Sequence, residues 1–399
     1  MKKLFTFMAA ICCAMFVMAD DKPQPDSLIL KDETSGAKLK IVFTYDKKGR
    51  ETEAHGFYWD DKTSKWVNNY KYEYTYNASN DVETETYITW NEEKSDWVNS
   101  QLKENTWKAA GKKSVETNSN WDTDKKDWVA STKYSWTYTG NNCTAYLYQN
   151  WNKSTSKWVN NYRETYAVDG KGNRTSMVKE SWYNETWNNN RKHDYTYNSD
   201  NQETIETTYT WTNNDWQGEF KYESIYQNGN KSKYTCMQYD PSAKEWNKFS
   251  QYRYTYDDNN NMTLEEYFKW DNTGEGSWKK TIEYTYTYNG NNDVLTQIRR
   301  ELNAEKGTFE ETQKTENAYD AKTGVLLRTR FYQYNETTKT MALAYSYTYY
   351  YNGVEPLGIV KVNGEGLKVN GEGHKFFRDG QLLIERDGQI FNLNGARVK

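Results

Sequence analysis

KYEYTYNASNDVETETYITWNEEKSDW, residues 71–97, carries the pattern that decides the fold. Together with the preceding Tyr70, the residues Tyr72, Tyr74 and Tyr76 alternate with Lys71, Glu73 and Thr75. Strict period-2 alternation in residues that favour extended backbone reads as a β-strand. NASND follows, a cluster of residues that cap tight reversals or tolerate positive φ. Val82, Ile88 and Trp90 then share the parity of a second strand, and Asn91–Asp96 makes a second turn before Trp97.

The unit recurs along most of the chain. One series of positions runs Trp59, Trp90, Trp121, Trp151, Trp182, Trp211, Tyr239, Trp270, Leu302, Tyr334. A second runs Trp66, Trp97, Trp128, Trp158, Trp187, Trp216, Trp246, Trp278, Phe309, Met341. A third, mostly tyrosine, runs Tyr76, Trp107, Tyr138, Val168, Tyr197, Tyr226, Tyr256, Tyr288, Tyr319, Tyr351. The spacing from the second series to the third is always 10 (66 to 76, 341 to 351), whereas the other gaps drift. A segment of fixed length between variable ones reads as a strand between turns. An even spacing predicts that both ends lie on one face. The expected fold is therefore all-β: a long antiparallel meander of about 21 strands, from ten repeats of about 31 residues, coiled with its aromatic face inward. An open spiral and a closed roll both satisfy the pattern. Trp59, Trp66, Tyr76, Trp90, Trp97, Trp128, Tyr138, Trp151, Trp158, Trp211, Trp216, Tyr256, Trp270, Trp278 and Tyr288 are the expected repeat core.

Aromatic residues make up 17 % of the chain, so its interior must be built from large rings whose polar tips need partners. The formal charge is −4, or −6 without Lys2 and Lys3, and no basic patch suits nucleic acid. A mean hydropathy of −1.13 and a polar second face argue against an apolar outward band for a membrane barrel.

Taken in order, residues 1–19 read as a signal peptide, with cleavage between Ala19 and Asp20. Residues 20–37, with Pro23 and Pro25, read as a flexible lead, and 38–353 as the β-repeat body. In the third repeat, QLKENTW replaces three tyrosine positions with Gln101, Lys103 and Asn105, either by erosion or as a polar gap; erosion is the favoured reading. Residues 354–373 contain the tandem KVNGEGL and KVNGEGH and read as a linker. Residues 374–399, FFRDGQLLIERDGQIFNLNGARVK and the residues around it, read as a small β unit.

The paired RDGQ turns, IFNLNG and terminal ARVK resemble the C-terminal sorting tails of proteins exported by the bacterial type IX secretion system. The Asn-Pro motif usual near the start of longer tails is absent. This resemblance implies secretion or attachment at the outer-membrane surface, with the secretion machinery as a partner. TYDKKGRET, TYNASNDVET and TYDDNNNMTLEE resemble the repeats of YD-repeat (RHS-type) proteins, which implies an all-β repeat shell. The toxin cargo domain that some such proteins carry has no room here.

No chemistry is expected. His55, His193 and His374 have no partners at ligand or triad spacing. Cys143 and Cys236 lie three repeats apart, too far in a laid-out sheet for a disulfide, so none is expected. No catalytic, metal or cofactor site is expected. The expected function is non-enzymatic: a binding or adhesion module for a glycan or protein at the cell surface, without nucleic acid or a membrane span. The alternative is a passive structural shell or surface-layer component, and a glycan hydrolase is a distant third.

Overall fold

A computed structural model describes residues 23–354 and, as backbone, four short strands of the tail. The first unit, residues 1–356, is built from twenty-two strands. They begin with β1 (Ser27–Asp32), β2 (Lys38–Tyr45), β3 (Glu51–Asp60), β4 (Lys65–Tyr76), β5 (Val82–Asn91), β6 (Asp96–Ala109), β7 (Lys112–Asp122) and β8 (Asp127–Thr139). They continue with β9 (Asn142–Asn152), β10 (Lys157–Val168), β11 (Arg174–Tyr183), β12 (Thr186–Tyr197), β13 (Glu203–Thr212), β14 (Asp215–Gln227) and β15 (Asn230–Asp240). The last seven are β16 (Glu245–Tyr256), β17 (Met262–Asp271), β18 (Ser277–Tyr288), β19 (Val294–Asn303), β20 (Thr308–Tyr319), β21 (Leu326–Asn335) and β22 (Thr340–Tyr350). Each pairs antiparallel with the next, and no helix occurs among the described residues.

The meander closes. β1 pairs with β2, Leu30 opposite Leu39, and on its other edge with β22, Leu30 opposite Tyr347. The roll is thus a closed barrel whose main sheet has no free edge. At about 4.8 Å per strand and the tilt usual for barrels, its wall runs roughly 130 Å round.

The strand count exceeds the expected 21 by β1, and this corrects the reading of residues 20–37 as a flexible lead. Pro23 and Pro25 suggested looseness, yet SLILKD alternates Leu28 and Leu30 with Ile29 and Lys31. Two open sheet edges offer such a strand a full set of backbone partners. Pro25 is itself fully buried, and its carbonyl accepts the Tyr45 hydroxyl at 2.8 Å.

A second correction concerns the faces. In each of the ten hairpins of the repeat, seven of which turn at a tryptophan pair, the second strand carries one extra residue. In β4 it is Asn69: Gly56 pairs with Tyr70 while the next residue, Phe57, pairs with Asn68. Cross-strand partners share a face, so this bulge puts Trp66 and Tyr70 on opposite faces despite their even spacing. Of the expected core residues, Tyr76, Tyr138, Tyr256 and Tyr288 lie on one face. Trp59, Trp66, Trp90, Trp97, Trp128, Trp151, Trp158, Trp211, Trp216, Trp270 and Trp278 lie on the other.

The tyrosine face is the inner one. At the closure its members Leu28, Leu30, Leu39, Ile41 and Phe43 are all buried, while Ile29, Lys40 and Val42 between them are only half-buried. Around the ring, the outer residue just before the last tyrosine position is exposed in most repeats: Thr75, Thr106, Thr137, Thr196, Thr255 and Thr287.

The second unit, residues 357–399, holds a separate four-stranded antiparallel sheet: Gly373–Arg378, Gln381–Arg386, Gln389–Asn392 and Arg397–Val398. Arg378 pairs with Gln381 and Arg386 with Gln389, so each RDGQ sequence spans a hairpin reversal. The segment expected to be a signal peptide, with Ala19 and Asp20, and nearly all of the 354–373 segment expected to be a linker lie outside the described residues.

Candidate binding surfaces on the two faces of the barrel

The outer face is organised by tryptophan pairs. Each hairpin turn brings its two rings edge to face, with centroids 5.3 Å apart for Trp59–Trp66, 5.0 Å for Trp90–Trp97 and 4.8 Å for Trp182–Trp187. All these rings remain half-buried. A cation one or two strands away lies over many of them: Lys71 over Trp97 at 4.9 Å, Lys133 over Trp158 at 5.1 Å, Arg163 over Trp187 at 4.6 Å and Lys248 over Trp270 at 4.2 Å. The same face carries ion pairs. Glu180 holds Arg163 above its usual range through a bidentate bond, and the Lys314–Glu316 bond pushes the lysine up and the carboxylate down.

The inner face is organised by tyrosine rows. Tyr134 stacks on Tyr148 at 4.9 Å and Tyr148 meets Tyr162 at 5.2 Å, so one row crosses three strands. Here burial governs ionisation. It pushes the Tyr195 hydroxyl up to about 12, and raises Tyr166, Tyr234, Tyr254 and Tyr286 as well. The inner wall is still open in places: Val159 is 39 % exposed, and Phe249, whose ring meets Phe220, is 50 % exposed.

The hydroxyl tips find a recurrent partner. Tyr76 donates to Glu51 O, Tyr226 to Glu203 O, Tyr256 to Lys231 O, Tyr288 to Met262 O and Tyr351 to Leu326 O, at 2.6–3.0 Å. Each acceptor is the carbonyl beside a second bulge, where the neighbouring odd-numbered strand begins. A bulge interrupts the ladder, and the tyrosine satisfies the group it frees. The turns at this end are themselves capped by Asn77, Asp169, Asn198, Asp257 or Asn289 side chains, and Asn80, Asn201, Asn260 and Asn292 take positive φ.

Other candidate groups stay apart. His55 accepts or donates to Asn68 on the outer face, and His193 pairs with Glu206 on the inner one. Cys143 is half-buried and Cys236 buried, both free. No group of three or more His, Cys, Asp or Glu suited to a metal occurs among the described residues. The face reversal had one signal in the sequence: Tyr87 stands next to Ile88, and Leu147 between Tyr146 and Tyr148, so these strands are apolar on both sides.

No protein-family profile and no curated protein matches the chain. Among solved structures, a protein of unknown function from Bacteroides fragilis is 18 % identical over 31 % of this chain and 88 % of its own, with a TM-score of 0.26. A porin-like protein from Bacteroides uniformis is 9 % identical over 83 % of this chain and 98 % of its own, at 0.27. The TcdB2-TccC3-TEV structure is 12 % identical over 90 % of this chain and 18 % of its own, at 0.32. Scores this low carry no argument about what the chain does.

Proposed function

We propose that this protein is a secreted or cell-surface binding module, without enzymatic activity, that takes glycan or protein partners. One observation supports the reading above others: the barrel keeps its rings half-buried on both faces instead of sealing them in one core. Half-exposed rings beside hydrogen-bonding side chains are the surface that sugars and extended peptides use. The surface-layer alternative is weaker because closure through β1 leaves the main sheet no edge on which copies add strand to strand. YD-repeat kinship and export through the type IX route belong to the same proposal, resting on the repeat and tail sequences.

The test is a glycan array probed with the mature protein, alongside pull-downs from cell-surface extracts and turnover assays on the same glycans. Saturable binding without turnover supports the reading. Turnover of a bound glycan, or ordered self-assembly with no ligand on either screen, overturns it.

A further inference from the structure

The inner tyrosine wall has a break at β6 and β7. Where other repeats place tyrosines, β6 places Gln101, Lys103 and Asn105. An eroded repeat would be expected to leave such groups loose. Gln101 is exposed, but Lys103 Nζ binds both carboxylate oxygens of Glu85 at 3.1 Å, and on the next strand Lys113 Nζ binds Glu116 at 2.7 Å. Trp136 lies alongside, within 5.8 Å of the Lys113 ammonium.

Asn105 is the exceptional member. It is 8 % exposed, and its Nδ2 donates to Val82 O at 3.1 Å, which fixes the amide's orientation. Its Oδ1 is buried and has no hydrogen-bond partner. The barrel contains its own control. Asn317 occupies the same place in a later repeat and makes the same bond, to Val294 O at 2.9 Å. There the cross-strand partner is Thr329, whose hydroxyl donates to Asn317 Oδ1 at 2.8 Å. Opposite Asn105 stands Glu116, an acceptor already taken by Lys113. The chain has put an acceptor where its own pattern supplies a donor. A buried polar atom left in that state is costly unless something fills it.

We infer that this break in the inner wall is a subsite for a neutral saccharide, with a sugar hydroxyl donating to Asn105 Oδ1 once the side chains that cover this buried atom turn aside to admit it. Glu85 and Lys103 offer an acceptor and a donor to neighbouring hydroxyls, and the Trp136 ring offers a face for the sugar's C–H groups. The lysines and carboxylates neutralise each other pairwise, which favours an uncharged ligand. The inference rests on the binding-module reading and narrows it to one ligand class and one place.

The test titrates the full-length mature protein with cellohexaose, xylohexaose and maltohexaose, following tryptophan fluorescence and calorimetry. Variants are Asn105→Ala, Glu116→Thr and, as a control, Asn317→Ala. Glu116→Thr copies the Asn317–Thr329 arrangement, so it satisfies Asn105 from within and guards against a variant that simply misfolds. Binding of at least one hexasaccharide is expected, weakened about tenfold or more by Asn105→Ala and Glu116→Thr, and unchanged by Asn317→Ala. Equal binding by all variants overturns the subsite and leaves the glycan reading standing. No binding by the unaltered protein to any of the three sugars or to an array overturns both. Crystals soaked in the bound sugar that keep only a water at Oδ1 also overturn the subsite.

Discussion

The seam where β22, β1 and β2 meet and the wall opposite it are made by different means. At the seam, Leu28 is 2 % exposed, Ala54 1 % and Leu327 4 %, and the residues are mainly aliphatic. Along the wall, rings stand half-buried and polar groups are paired in place. The difference follows from chain connectivity. A wall hairpin is formed by residues a turn apart, so little entropy opposes it and cross-strand pairs suffice. The seam joins Ser27 to Tyr350, and every loop between must already be in place. Dry aliphatic packing, which rewards closure only once it is complete, is the means suited to that contact.

The sharpest way to break this contrast is Leu28→Ala. It empties a fully enclosed site and is expected to cost about 3 kcal/mol in denaturant unfolding. Trp90→Ala on the wall removes a larger but half-exposed ring and should cost less. If the tryptophan change proves the more damaging, the seam is not where the fold is locked.

Gly56→Ala probes the border between the two regions. A Cβ there would sit 2.4 Å from the Tyr70 ring, which is itself buried in the seam cluster. The ring must move, at an expected cost of about 1–3 kcal/mol. Gly111, where an added Cβ meets nothing, has φ +69° and isolates the backbone part of such a change. Loss in Gly111→Ala alone would say that turns, not packing, limit stability.

Near the seam, burial raises the Glu51 carboxyl to about 7. The folded state then holds a proton that the unfolded chain has already lost between about pH 4.5 and 7, so stability falls as pH rises through that window. Glu51→Gln should remove this slope and be the more stable protein above pH 7, by on the order of 1–2 kcal/mol after solvent screening. Parallel stability–pH curves for the two proteins would show that the carboxyl is solvated.

Much of the architecture was legible. Tyr70 to Tyr76 announced the strand, NASND the reversal, and the fixed ten-residue spacing a strand set between turns. The inward turn of the tyrosines followed from their number and the polar residues between them. The tryptophans went astray because one bulged residue changes parity without changing length, and Asn69 or Asn161 looks like any polar strand residue. β1 was hidden behind two prolines, because a strand of six residues gains its meaning only from two partners far along the chain. The candidate subsite was visible only as an anomaly. Gln101, Lys103 and Asn105 stood out as missing tyrosines, but the orphaned Oδ1 depends on which residue the register sets opposite, and that is a property of the closed sheet.

The smallest effect tests the wall on its own terms. Lys133 Nζ lies 5.1 Å from the Trp158 ring centre, on a strand whose contacts are all local. Lys133→Met keeps most of the stem over the ring and removes only the charge, so about 0.5 kcal/mol is at stake. The same substitution at Lys71, over Trp97, also removes its ion pairs to Glu53 and Glu73 and should cost somewhat more. If the wall is a sum of neighbouring hairpins, the two changes together should cost the sum of each alone, since they sit two hairpins apart. A combined loss well above that sum, read from urea midpoints at constant slope, would mean that the wall unfolds as one body and that the seam is only one contact among equals.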